Sequence, residues 1–124
     1  MKISVVIPVL NEIDLISQAV ERAWSSGADQ VVVADGGSTD GTLDKLASLN
    51  CEFVRSPSGR AIQMNNGAKY SNGDILVFLH ADNWLEDNSC SQIRLGMKDS
   101  CSEFGAFRQR VNHDSFLYRW VELG

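Results

Sequence analysis

Three apolar runs without alternation, "KISVVIPV", "QVVVAD" and "DILVFL", punctuate the chain. A strand with one wet face alternates apolar and polar residues, whereas a strand covered on both faces reads as a continuous β-branched run, as in parallel sheets flanked by helices. The runs therefore predict buried strands over Ile3–Val9, Gln30–Asp35 and residues 74–79, and "CEFVRS" offers a weaker one. Between them, Leu15, Ile16, Ala19, Val20, Ala23 and Trp24 follow the three-and-four spacing of an amphipathic helix over residues 14–26, with Gly27 as its stop. A short helix is predicted over residues 43–49, with Ser38, Thr39 or Asp40 as its N-cap, and another over residues 61–70, ending near Gly73.

The resulting order, β-α-β-α-β-α-β, predicts an α/β fold: an open, mostly parallel sheet with right-handed crossovers and helices on both faces. Past residue 88 the pattern weakens. "SQIRLGM" reads as a short helix, "EFGAFRQRV" as a strand bent at its glycine, and "SFLYRWVEL" as an apolar-rich helix. No linker, repeat or low-complexity stretch interrupts the 124 residues, which suit one domain with one core.

Hydrophobic residues make up 44% and charged residues 22%, the mixture of a globular protein. Sixteen acidic residues against eleven basic ones give a formal charge of −5, which excludes a broad cationic face for nucleic acid. Cys51, Cys90 and Cys101 are odd in number and lack metal-ligand or CxxC spacing, so reduced thiols in the cytosol are expected. The first apolar run is too short to span a bilayer, is broken by Ser4 and Pro8, and has no cleavage pattern of a signal peptide. A cytoplasmic location follows as the expectation, with peripheral attachment to a membrane left open.

Ligands of open parallel sheets sit beyond the carboxyl ends of the strands. Three polar loops leave those ends: "NE", "DGGSTDGT" and "HADN". In the second, the Asp35 carboxylate can accept hydrogen bonds from a ribose hydroxyl or a base imide, while Gly36 and Gly37 let a ligand approach the backbone. The same residues are good turn material by themselves, and for this loop taken alone the turn is the favoured reading. "PVLNEIDL" has no glycine, which excludes a dinucleotide-binding fingerprint, and no P-loop is present. Gly37 and Thr39 stand where a calcium loop needs ligands. In the third loop, His80 and Asp82 face one spot if the strand continues through them, and they can then bind a divalent cation able to neutralise a diphosphate. The competing reading has His80 bonded to backbone and Asp82 with Asn83 forming a turn.

Jointly, "SVVIPVLNE", "VVVADGGSTDGT" and "GRAIQMNNGAKYSNGDILVFLHADN" resemble the glycosyltransferase family 2 pattern on the GT-A fold. The third stretch is closest to a bacterial subgroup that carries "FLHAD" in place of the usual D-x-D. The match covers residues 3–83 and continues more faintly to 124. The resemblance implies inverting transfer of a sugar from a UDP- or GDP-linked donor to an unidentified acceptor, a lipid or glycan, with Mn2+ or Mg2+. Pro8, Asn11 and Glu12 would line the nucleoside pocket and Asp35 would contact the base or ribose, with Gly37 and Ala81 beside the donor. Arg60 and Gln63 would face the donor, and Asn66 with Gly67 would let the third helix pack close to the nucleotide. Gly36 stands where many members have a second acid, which leaves the base open. Asp82 matches the last acid of the D-x-D as metal ligand, and His80 replaces the first. Magnesium prefers oxygen ligands and manganese accepts imidazole, so direct ligation by His80 would favour manganese; otherwise His80 would orient Asp82 or a water.

The family's general base stands beyond the fifth strand. His113 and Asp114 are the nearest candidates here, although "NHDS" also reads as a helix-start turn. The resemblance thus implies a donor half over residues 1–87, part of the acceptor side over residues 88–124, and a missing C-terminal acceptor half. The alternative function is a shortened domain that binds a nucleotide sugar or a partner without turnover. A nucleotidyltransferase of the sugar-nucleotide type is disfavoured, because no glycine-rich basic loop follows the first strand. Phe116, Leu117, Trp120 and Val121 would lack a cover in such a shortened domain, which predicts self-association.

Overall fold

The computed structural model describes residues 1–82, 85–100, 104–105 and 119–123. Its sheet runs β3 (Glu52–Arg55), β2 (Gln30–Asp35), β1 (Ile3–Val9), β4 (Ile75–Leu79), β6 (Arg119–Leu123), β5 (Phe104–Gly105), and each pairing of neighbours is parallel. Among the described residues, four helices join these strands: α1 (Ile16–Ser25), α2 (Thr42–Ala47), α3 (Arg60–Tyr70) and α4 (Ser89–Ser100). The expected parallel α/β sheet is what forms.

β1 lies at the centre, with Val6 opposite Val32 on one side and Phe78 on the other. Because successive strand side chains point to opposite faces, β1 feeds two cores. Ile3, Val5, Ile7 and Val9 pack with Ile16, Val20, Leu46 and Ile93 on the face covered by α1, α2 and α4. Val6 packs with Leu76 and Phe78 against Met64 and Ala68 of α3 on the other. Burial of each such side chain stabilises by roughly 1.5–3 kcal/mol, which explains why these strands need no alternation. α3 lies close to the sheet because Gly67 has no side chain: a Cβ there would stand 2.4 Å from Val6 Cγ1.

Helix boundaries shift slightly from those expected. α1 begins at Ile16 rather than residue 14, after the Glu12 carbonyl has accepted the N–H groups of Leu15 and Ile16. The cap position of α2 is Gly41, in the left-handed region at φ 97°, and not Ser38, Thr39 or Asp40. Asp40 still serves the helix start, since its Oδ1 accepts the Thr42 N–H at 3.0 Å.

Two expectations at the C-terminal end change. Residues 119–123 form a strand, β6, between β4 and β5, where a helix over "SFLYRWVEL" was expected. A short apolar run fits either period, and the open edge of β4 supplies the hydrogen bonds that decide it. Trp120 and Val121 therefore belong to an interior strand. Of "EFGAFRQRV", Phe104 and Gly105 form β5. The rest of that stretch, Phe116 and Leu117, and the candidate bases His113 and Asp114 lie outside the described residues.

Candidate functional site

In a parallel sheet all carboxyl ends share one edge. β2 ends at Asp35 and β4 at Leu79, immediately before His80, and β1 ends between them at Val9. Asp35 and His80 thus flank the end of β1, two strand spacings or roughly 10 Å apart across the sheet. α3 enters at the same edge just after β3, with Arg60 exposed as its first residue.

The loops after β1 and β2 are bonded into one body. Asn11, at φ 54°, donates its N–H to Ser38 Oγ at 2.8 Å, and its Oδ1 accepts the Thr39 N–H at 2.7 Å. Asparagine tolerates this left-handed conformation better than most residues. Glu12 N–H donates to Thr42 Oγ1 at 3.1 Å, and Ile13 N–H to Asp40 Oδ2 at 3.2 Å. The Thr42 hydroxyl also donates to Asp40, and it is the chief reason that carboxyl is held below its usual range. The ties that Ser38, Asp40 and Thr42 make to the loop after β1 go beyond the capping expected of Ser38 and Asp40; the density of short polar side chains in "DGGSTDGT" is their signal. Glu12 is half-buried, and its carboxylate has no hydrogen-bond partner among the described residues. Pro8 is half-buried on β1 beside Ala34.

Asp35 is fully buried, at 0% exposure. Its Oδ2 accepts the N–H groups of Gly37 and Ser38, both at 3.0 Å, and its Oδ1 accepts the Ser38 hydroxyl. In this conformation the Asp35 carboxylate closes the turn after β2, with the Ser38 side chain bonded over it. Gly37 is exposed at φ 105°, a conformation that demands glycine and leaves its backbone open to a ligand.

Gln63 points at the sheet instead of outward and is 5% exposed. Its Nε2 donates to the Val9 and Ala34 carbonyls at 2.8 and 2.9 Å, and its Oε1 accepts the Gly59 N–H at 3.1 Å. Asn66 Nδ2 donates to Ser56 Oγ at 3.0 Å, and Gly67 faces Val6, so both pack α3 against the rest of the domain.

His80 is half-buried, Ala81 is buried and Asp82 is exposed. The backbone turns at Ala81 and Asp82, so the strand rule that would aim His80 and Asp82 at one spot lapses. Among the described residues no group of three or more His, Cys, Asp and Glu side chains can hold a metal. The donor chemistry nevertheless fits: one imidazole and one carboxylate suit Mn2+ when diphosphate oxygens and waters supply the other positions. A separate hollow of about 300 Å3 lies at the opposite edge, among Trp24, Gln30, Cys51 and Glu52. Burial pushes the Cys51 thiol up to about 11, which makes it a poor nucleophile. No helix among the described residues is long and apolar enough to cross a membrane.

Comparison with known proteins adds to this geometry. The chain is 33% identical over 91 residues to uncharacterized glycosyltransferase YfnE of Bacillus subtilis, spanning 66% of this chain and 23% of that protein. It is 28% identical over 97 residues to a poly(ribitol-phosphate) beta-glucosyltransferase of Bacillus spizizenii, spanning 68% of this chain and 15% of that one. The chain therefore spans less than a quarter of the length of these curated relatives. Among solved structures, glucosyl-3-phosphoglycerate synthase of Mycobacterium tuberculosis, in complex with Mn2+, UDP and glucosyl-3-phosphoglycerate, superposes with a TM-score of 0.68 at 22% identity, over 86% of this chain and 43% of its own. Mannosyl-3-phosphoglycerate synthase of Rubrobacter xylanophilus does so with a TM-score of 0.69 at 20% identity, over 86% and 39%. These two share the fold: a parallel GT-A-like sheet. Residues 4–123, nearly the whole chain, match the model of Glycosyl transferase family 2, and with loops of family pattern gathered at one sheet edge, the chain belongs to that family.

Proposed function

We propose that this chain forms the donor-binding part of an inverting glycosyltransferase that uses a nucleotide-diphosphate sugar and a divalent cation. The observation that carries the reading is the shared edge, where the ends of β1, β2 and β4 and the start of α3 bring Asn11, Glu12, Asp35, Arg60, His80 and Asp82 together. Support comes from structural neighbours that hold UDP with Mn2+ or with Mg2+.

Residues 1–87 act as the donor half, and residues 88–124 begin the acceptor side. Pro8, Asn11 and Glu12 form one wall of the nucleoside pocket, and Gly37 and Ala81 border the donor. Asp35 meets the base or ribose once Ser38 releases it. Arg60 places a guanidinium on the diphosphate, the planar donor array that suits phosphate oxygens. Asp82 would hold Mn2+ or Mg2+, with His80 as a second ligand or as the group that orients Asp82 or a water. The bound ion supplies compensation for the negative charge that develops on the departing diphosphate. In the transfer, an acceptor hydroxyl oxygen bonds to the anomeric carbon as the bond to the diphosphate oxygen breaks, and a base takes the hydroxyl proton. The acceptor is a lipid or glycan, met in the cytoplasm or at the membrane periphery.

Calorimetry with UDP- and GDP-sugars in Mn2+ or Mg2+ tests the reading. Saturable, metal-dependent binding of one donor supports it, and no binding at millimolar ligand overturns it. Sugar transfer or donor hydrolysis by the chain then separates an enzyme from a binding domain without turnover.

A further inference from the structure

The geometry points to Gln63 as a positioning residue for the donor diphosphate: it ties the first turn of α3, and Arg60 with it, to the ends of β1 and β2. The inference rests on the assignment of Arg60 to the diphosphate made above.

A glutamine amide offers two N–H donors and one carbonyl acceptor, and Gln63 uses all three groups on main chain. The two donors go to different strands, Val9 at the end of β1 and Ala34 one residue before the end of β2. The acceptor takes the N–H of Gly59, the residue that caps α3 and directly precedes Arg60. A single buried side chain therefore sets how far the helix start stands from the strand ends that carry the nucleotide loops. Glutamic acid could not replace it, since a carboxylate would set an oxygen, where the Nε2 donor now stands, against the Val9 and Ala34 carbonyls.

The same tie explains position 36. A Cβ built on Gly36 would lie 2.5 Å from Gln63 Oε1, 2.7 Å from Cδ and 2.9 Å from Nε2. A free glutamine would swing aside, but three hydrogen bonds hold this one. Gly36 and Gln63 are thus a matched pair: an acid beside Asp35 and a glutamine tie at 63 exclude one another. Where family members place a second acid near the base, this chain places a strut for the helix.

The experiment measures binding of UDP and GDP, and of uridine and guanosine, to the full chain in Mn2+ by titration. Gln63→Ala and the volume-keeping Gln63→Met should each weaken the bound nucleoside diphosphate about tenfold or more and change the matching nucleoside less than about twofold. Gly36→Ala, which displaces the amide while keeping it, should show the same selectivity. Gln63→Met combined with Arg60→Ala should bind no more weakly than Arg60→Ala alone, because both act on one contact. Equal losses on diphosphate and nucleoside, additive losses with Arg60→Ala, or unchanged UDP and GDP binding in folded variants would overturn the inference. Failure of the unmodified chain to bind either diphosphate would instead overturn the donor-site reading.

Discussion

Ser38 donates both its backbone N–H and its hydroxyl to the carboxylate of Asp35, and so closes over the acid at the end of β2. Asp35 is therefore built into the fold whatever it later does for a ligand. Asp35→Ala leaves the Gly37 and Ser38 N–H groups without their acceptor and should lower stability by about 1–3 kcal/mol in urea unfolding. A carboxylate reserved for ligand alone would give a folded variant of unchanged midpoint. Ser38→Ala should cost less, about 0.5–1.5 kcal/mol, and should strengthen UDP or GDP binding by uncovering Asp35. Weaker binding in that variant would show that the Ser38 hydroxyl, which also accepts the Asn11 N–H, is needed in place in the binding form.

Asp40 supplies an acid-sensitive joint between the same loops. Bonds from the Thr42 hydroxyl, and also from the Ile13 and Thr42 N–H groups, hold its carboxyl below the usual range. A carboxylate with a depressed folded pKa contributes stability that is present above its unfolded value, here 3.8, and lost as pH falls through the folded one. Thermal melts from neutral pH to about pH 3 should therefore show a falling midpoint below about pH 4 that is shallower in Asp40→Asn. Identical slopes in the two proteins would remove Asp40 from the joint.

Gly67 tests how closely α3 and β1 must approach. Gly67→Ala places a methyl 2.4 Å from Val6 Cγ1 in a packed core, which should cost about 1–3 kcal/mol in urea unfolding. Val6→Ala in the same chain should restore part of the loss, since the two changes share one space. Simple addition of the two costs would show that the helix has moved instead.

These relationships differ in how far the sequence announces them. β1, β2 and β4 declare themselves because burial on both faces leaves a largely apolar run without alternation, with Ile3, Val5 and Val6 in one and Ile75, Leu76 and Val77 in another. Arg119–Leu123 does not, because five residues with Trp120, Val121 and Leu123 fit a helix as well as a strand, and the choice falls to a partner far away in sequence. Polar residues at the site are legible by position and illegible by orientation. Asp35 and His80 had to stand at the carboxyl edge once the sheet was parallel. That Gln63 turns inward depends on the carbonyls of Val9 and Ala34, 54 and 29 residues away. His80 and Asp82 illustrate the limit of a local rule: it holds only while the backbone stays extended, and the chain turns at Ala81.

That turn makes the two residues separable by experiment. Asp82 is exposed, so Asp82→Ala should leave stability within about 0.5 kcal/mol of the starting protein. It should nonetheless weaken UDP or GDP binding tenfold or more in Mn2+ while leaving any metal-free binding unchanged. His80→Asp restores the paired acids of the D-x-D pattern and exchanges an imidazole for a hard oxygen donor. If His80 touches the metal, this variant should shift the preference of nucleotide binding from Mn2+ toward Mg2+, as read from titrations with each ion in turn. If His80 only orients Asp82 or a water, the ratio of the two affinities should stay as it was while both fall together. An Asp82→Ala chain that still binds UDP or GDP with undiminished dependence on Mn2+ would place the metal elsewhere and reduce Asp82 to a turn residue.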